Sequence, residues 1–296
     1  MLCAHGAPDP DGIESTVETL FGFRAECIRV TTPEGANKLG KPIGTYITVD
    51  TGKVWRYDSE RFFAACDAVA ESLRRLVPQS GSCLLVGLGN RSITADATGP
   101  LTAEHFIVTR HIKQNDRPLF DTLGLRETMC IVPNVLGNTG LEASDTVRGI
   151  TERARPACVI AVDSLASRRT SRLATTVQLC DTGISPGAGV GNRRQELSQR
   201  VLGVPVIAVG VPTVVDAATI GADILEEYLS QTGAAPGANE DSVLRRVLSE
   251  ESAHYFVTPR DADVILRETA RLIAYAVNKA LSPSLAYADM PELLAK

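Results

Sequence analysis

Asp96, in "TADATGP", and Asp163, in "IAVDSLASR", are the two acids of this chain best placed to do chemistry. Each comes after a short apolar run, and an acid set at the end of a buried strand is costly to desolvate unless it is partnered. Two such carboxylates brought together share a proton. One ionises and activates a water, while the other stays protonated and donates to a carbonyl oxygen. That is acid–base hydrolysis with neither a metal nor a covalent intermediate. An ordinary aspartic acid titrates at about 3.9, so burial and mutual repulsion must raise one of the pair for work near neutral pH. Taken singly, each residue also fits a plainer role, Asp163 as a turn cap and Asp96 as a helix N-cap.

Other polar residues stand close by in sequence. Asn90 and Thr94 are candidates to orient Asp96 or a water by hydrogen bonds, or simply to satisfy a loop. Arg168 and Arg169 are candidates to bind a carboxylate or an acidic substrate segment, or to lie on a solvated turn. Asp216 fits the cap of the helix after it. No metal site is expected: the four histidines include no close pair or HExxH, and the seven cysteines show no CxxC. Several cysteines sit inside apolar runs, where a thiol acts as a small hydrophobe. No cofactor is expected either, since "GLGN" lacks the Lys and Ser/Thr of a phosphate loop.

The elements that must position these residues are short apolar runs alternating with helical stretches. "CLLVGLG" (83–89), "TMCIVP" (128–133), "ACVIAVDS" (157–164), "TTVQLC" (175–180) and "VPVIAVGVP" (204–212) read as buried strands. Residues 59–76 (after a Ser cap), 102–112, 141–154 and 214–229 read as helices, with two more near 240–251 and 261–281. Residues 24–31 and 44–50 read as a small antiparallel piece. The whole is an α/β fold, a three-layer sandwich with a mostly parallel central sheet, a small N-terminal β element and C-terminal helices. One domain is expected: a β-rich segment over 1–56, an α/β core over 57–229, and a hinge with helices over 230–296. Ligands in such sheets bind beyond the carboxyl ends of the strands, which is where Asp96 and Asp163 fall. The stretch "CDTGISPGAGVGN" (180–192) spells the Asp-Thr-Gly of pepsin-like proteases at Asp181. Those proteins are almost wholly β, so the α/β pattern favours a Gly-rich turn near the site, leading to a helix in "RRQELSQRV".

A composition of 44% hydrophobic and 22% charged residues is that of a globular protein. The net charge of −5 argues against a general grip on nucleic acid and suits a basic substrate better than an acidic one. No apolar run approaches the roughly 20 residues that span a bilayer. The N-terminus lacks the pattern of a signal peptide, so a cytoplasmic location is expected.

Five fragments, "VGLGNRSITADATGPLTAEHFIVTRH", "GNTGLEASDTVRGI", "PACVIAVDSLASRR", "TTVQLCDTGISPGAGVGNRRQELS" and "LGVPVIAVGVPTVVDAATI", together resemble the germination proteases of spore-forming Firmicutes. "VTPRDADVILRETARLIAYAVNKAL" resembles the C-terminal helices of that family. The resemblance covers most of the chain from about residue 24. It implies an atypical aspartic endopeptidase that degrades small acid-soluble spore proteins, in the spore core, as a homotetramer made as a zymogen. It also implies a fold like that of the hydrogenase maturation proteases. Its two proposed catalytic aspartates fall on Asp96 and Asp163, and it makes Asp181 part of a family Gly-rich motif. The family's propeptide and the Arg-Thr-Asp-Leu-Ala segment after it have no counterpart in "MLCAHGAPDPDGIEST", which puts control by autoprocessing in question. The 230–256 connection is shorter than usual, and "DSLASRR" stands where "DALAAR" is commoner. Two other readings compete: a metal-assisted peptidase of the maturation type, and a catalytically silent protein that only binds spore proteins.

Overall fold

The computed structural model describes residues 12–187, 194–232 and 255–294. Its strands are β1 (Ile13–Leu20), β2 (Phe23–Val30), β3 (Gly44–Asp50), β4 (Cys83–Gly87), β5 (Thr128–Ile131), β6 (Cys158–Ser167), β7 (Thr176–Cys180), β8 (Val206–Asp216) and β9 (Phe256–Val257). They form one sheet in the order β1-β2-β3-β7-β8-β6-β4-β5, with β9 added to β8. β4, β6, β7 and β8, with their apolar runs, lie inside it, as strands buried on both faces must. β5, read as another buried strand, is the edge strand on that side and is buried only at Thr128. β8, β6, β4 and β5 are all parallel. β7 runs against β8 and against β3, so it welds the N-terminal antiparallel strands onto the parallel part. The small N-terminal β element is thus an extension of the central sheet.

The helices are α1 (Pro33–Leu39), α2 (Ser59–Arg74), α3 (Thr98–Glu104), α4 (Arg110–Asn115), α5 (Arg117–Leu123), α6 (Leu136–Thr139), α7 (Ala143–Ala154), α8 (Gln199–Leu202), α9 (Ala217–Thr232) and α10 (Ala262–Leu281), with a last turn at Met290–Leu294. In α2, Phe62, Ala65, Cys66, Val69 and Leu73 recur at helical spacing and are buried. The cap of α2 is Asp58, which accepts the Arg61 N–H at 2.9 Å; Ser59, the expected cap, is the first helical residue. α2 and α10 cover one face of the sheet, where Leu272 and Ile273 join Ile160 and Val162 in the main core. On the other face Val147 of α7 and Leu202 of α8 pack on Val86, Val159 and Ala161. The sandwich therefore has the three layers expected of it.

Two helices depart from expectation. The 102–112 stretch breaks after Glu104, because the side chain of Asn278 on α10 bonds the chain there. Its Oδ1 accepts from Ile107 N–H (3.1 Å) and its amide donates to the His105 carbonyl (3.0 Å). In place of a helix over "RRQELSQRV" there is a strand-like bridge, Ile184 to Leu197, and the four-residue α8. The helix expected near 240–251 lies outside the described residues. Among the described residues no helix is long and apolar enough to cross a membrane.

The chain winds outward from the centre of the parallel strands. β5 lies on one side of β4, and β6 and then β8 lie on the other, so the winding reverses between β4 and β6. A crevice opens at such a reversal, beyond the carboxyl ends of the strands. α3 is pressed into the base of this crevice at Gly99, where an added Cβ would meet Leu88 O at 2.3 Å and Val162 O at 2.6 Å. These are backbone atoms of the strand ends and have little room to give. Gly99→Ala is expected to lower the unfolding free energy by about 1–3 kcal/mol, the range of an overpacked site. Urea denaturation read at two wavelengths checks this; an unchanged midpoint would show that α3 is free to move away.

Candidate active site

Asp96 ends a single helical turn, Thr94–Asp96, between β4 and α3. Its Oδ2 accepts the Asn90 backbone N–H at 2.8 Å. Gly89 makes that turn possible: its φ is +109°, and a Cβ there would meet the Asp96 carbonyl oxygen at 2.0 Å. Asp163 sits within β6, opposite Gly210 of β8, rather than at the strand's end. It is 4% exposed, and its Oδ1 accepts the Ser164 N–H at 2.9 Å. Both acids line one cleft of about 810 Å³.

Their proton affinities differ. Burial pushes the Asp163 carboxyl up, the negative charge of Asp96 pushes it further, and the Ser164 N–H partly offsets both, leaving it at about 7. Asp96 is half-buried; burial raises it and the Asn90 N–H draws it back. Asp96 therefore ionises first, against a neutral Asp163, and its charge then holds the proton on Asp163.

Short bonds stitch together the segments that carry the two acids. Ser164 Oγ donates to Thr98 Oγ1 at 2.8 Å, joining the residue after Asp163 to the start of α3. Thr213 of β8 donates to the Ala95 carbonyl at 2.6 Å, and its own carbonyl accepts from Thr258 at 3.1 Å. Sequence reasoning missed these four hydroxyls. Ser164 and Thr98 stood inside the motifs, but a hydroxyl beside an acid has no signal of its own. Gln195 was missed as well: its Oε1 accepts from Ser144 at 2.9 Å, and it lines the cleft.

The lesser candidates divide. Asn90 acts on Asp96 through its backbone, while its side chain accepts from Ser92 N–H at 3.0 Å. Thr94 is exposed and does not line the cleft. Arg168 does line it, as does Arg194, and neither has an ion-pair partner among the described residues. Arg169 instead turns to Asp223 and Glu226 of α9. Asp181 lies off the cleft; its Oδ1 accepts the Thr45 N–H at 2.8 Å and ties β7 to β3. Asp216 caps α9, accepting the Thr219 N–H at 2.6 Å. Among the described residues no three His, Cys, Asp or Glu side chains are grouped to hold a metal ion.

Fold and site together define an α/β protein with a carboxylate pair, unlike in proton affinity, at the switch point of its parallel strands. Comparison with known proteins gives the family. Residues 8–249 match the family model described as germination protease. The germination protease of Clostridium perfringens is 37% identical over 303 residues, covering 96% of this chain and 92% of that protein. That of Clostridium acetobutylicum is 35% identical (98% and 94% covered), and that of Bacillus pumilus 34% (95% and 89%). The chain belongs to the germination protease family and is a peptidase. Among solved structures, the [NiFe] hydrogenase maturation protease HycI of Thermococcus kodakarensis aligns with a TM-score of 0.39 at 14% identity, over 71% of this chain and 98% of that one.

Proposed function

We propose that this chain is an endopeptidase that starts the breakdown of small acid-soluble spore proteins at germination, using Asp96 and Asp163 as base and acid. The observation that carries this reading is the buried Asp163, held protonated to about pH 7 beside the more exposed Asp96 in one cleft. The Asp96 carboxylate takes a proton from water as the oxygen attacks the scissile carbonyl carbon. Asp163 gives its proton to the carbonyl oxygen, forming a tetrahedral diol. As the C–N bond breaks, Asp96 passes its proton to the leaving nitrogen. Asp163 recovers one from the diol as the C=O bond reforms, and the pair is reset. Net charge is a poor guide to the substrate here, because Arg168 and Arg194 on the cleft wall suit acidic side chains despite the chain's −5. The homotetramer, the zymogen and the spore-core location belong to the same proposal.

The test is digestion of a purified α/β-type small acid-soluble spore protein, with products read by mass spectrometry, with and without EDTA. Wild type and Asp181→Asn are expected to cut, because the amide oxygen introduced by Asp181→Asn still accepts the Thr45 N–H. Asp96→Asn and Asp163→Asn are expected to fail, and EDTA to change nothing. Cleavage stopped by EDTA would make the acids metal ligands. Intact cleavage by both of these variants would remove the dyad, and no cleavage by wild type would favour a silent binding protein.

A further inference from the structure

Strand β6 outruns β4. The ladder between them ends at Gly87 and Val162, with Leu88 N–H donating to the Val162 carbonyl at 2.8 Å. Gly89 then turns the chain away. β6 continues to Ser167, paired with β8 as far as Val215. Over Asp163–Ser167, therefore, β6 has a strand neighbour only on the β8 side among the described residues.

Backbone groups alternate in direction along a strand. The Val162 carbonyl faces β4, and Val159 N–H faces the other way, donating to the Pro205 carbonyl at 2.9 Å. Even-numbered residues of β6 thus face the β4 side. The register shift at Leu165/Ala166 leaves Thr213 of β8 as the extra residue, so the alternation of β6 is unbroken. Past Val162 the outward-facing residues are Ser164 and Ala166. Ser164 N–H is taken by Asp163. The Ser164 carbonyl and both backbone groups of Ala166 have no partner among the described residues, and both residues line the catalytic cleft.

We infer that this edge holds the substrate as an added strand: an extended peptide lying where β4 would continue, bonded through its main chain to Ser164 and Ala166. The inference rests on the peptidase reading of the same cleft and adds how the peptide is held. An unpaired strand edge is a template for another strand, and strand addition is a recurrent way to hold peptides. Ser164 and Ala166 are about 6.6 Å apart along the strand, the repeat of alternate residues in an extended peptide. Asp163 is the first residue beyond the β4 ladder, so the added strand begins at the carboxylate pair. In this arrangement the peptide offers the N–H groups of two residues separated by one, and the carbonyl of the first.

The test reads binding apart from chemistry. Labelled peptides tiled across a small acid-soluble spore protein are ranked by fluorescence anisotropy on Asp96→Asn enzyme. The tightest is then N-methylated at one amide at a time. Methylation at two amides separated by one residue is expected to weaken binding about tenfold each, with their neighbours changed less than about twofold. Ala166→Pro, which deletes an edge N–H and no bond to β8, is expected to weaken binding about tenfold. Should the proline variant fail to fold by circular dichroism, the methylation series alone decides. Even losses, no losses, or no bound peptide overturn the inference. Cleavage by wild type with a flat methylation pattern removes the edge and leaves the acid pair standing; an alternating pattern with no cleavage does the reverse.

Discussion

Asp163→Asn and Asp96→Asn are each expected to lower kcat/KM by about 10²–10⁴, the contribution of one positioned acid or base. Their pH profiles separate the two roles. In the wild type the rate is expected to rise as Asp96 ionises and to fall as Asp163 loses its proton, with the falling limb centred at about pH 7. These limbs belong to the pair as a coupled system. Asp163→Asn has no proton to lose, and the falling limb disappears from its residual activity. Asp96→Asn removes the charge that helps raise Asp163. Burial alone then holds the Asp163 proton, and its titration, monitored by the carboxyl carbon resonance, moves to lower pH. A wild-type rate that climbs steadily through pH 8 would assign the chemistry elsewhere, because the proposed mechanism needs a neutral Asp163 as the donor.

Both acids were legible in the sequence because the rule that finds them is local: an acid just past, or late in, a buried apolar strand. What brings them together was not local. β4 and β6 are neighbours because the winding reverses there, and no short window encodes that. The unbroken runs of β4, β6 and β8 read correctly because both faces of each strand are covered. β1, "IESTVETL", was missed because half-exposed polar residues alternate along it at the sheet's edge. β7 was found, but its direction was not, since an apolar run says nothing about which way its neighbours point. β6 runs past its expected end through "LAS", where pairing with β8 decides. The open edge proposed to hold substrate comes from the same mismatch of strand lengths, and sequence periodicity carries no trace of it. Asp181 shows the opposite case: a recognisable triplet whose carboxylate serves the β3–β7 seam.

The carboxyl proposed to serve catalysis is expected to weaken the fold, and Asp163→Asn to strengthen it. Each tenfold in proton affinity is worth about 1.4 kcal/mol. Raising Asp163 from its ordinary 3.8 to about 7 therefore corresponds to roughly 4 kcal/mol as an order of magnitude. The sign depends on which state holds the proton. Below about pH 4 the group is neutral folded and unfolded, and it costs nothing. From there to about pH 7 the unfolded chain ionises while the folded one keeps its proton, so wild-type stability falls; above that the loss is constant. The amide introduced by Asp163→Asn never ionises, and its oxygen still accepts the Ser164 N–H. The gain in unfolding free energy for Asp163→Asn is thus expected to be near zero at about pH 4, to grow through pH 6, and to level off at up to roughly 4 kcal/mol by pH 8. Asp96→Asn gains less: it relieves the repulsion and the partial burial of Asp96 itself, but leaves Asp163 buried. Urea midpoints of the three proteins across this range measure it. A difference between wild type and Asp163→Asn that does not change with pH would mean that Asp163 carries no trapped proton, and the acid of the proposed mechanism would be lost with it.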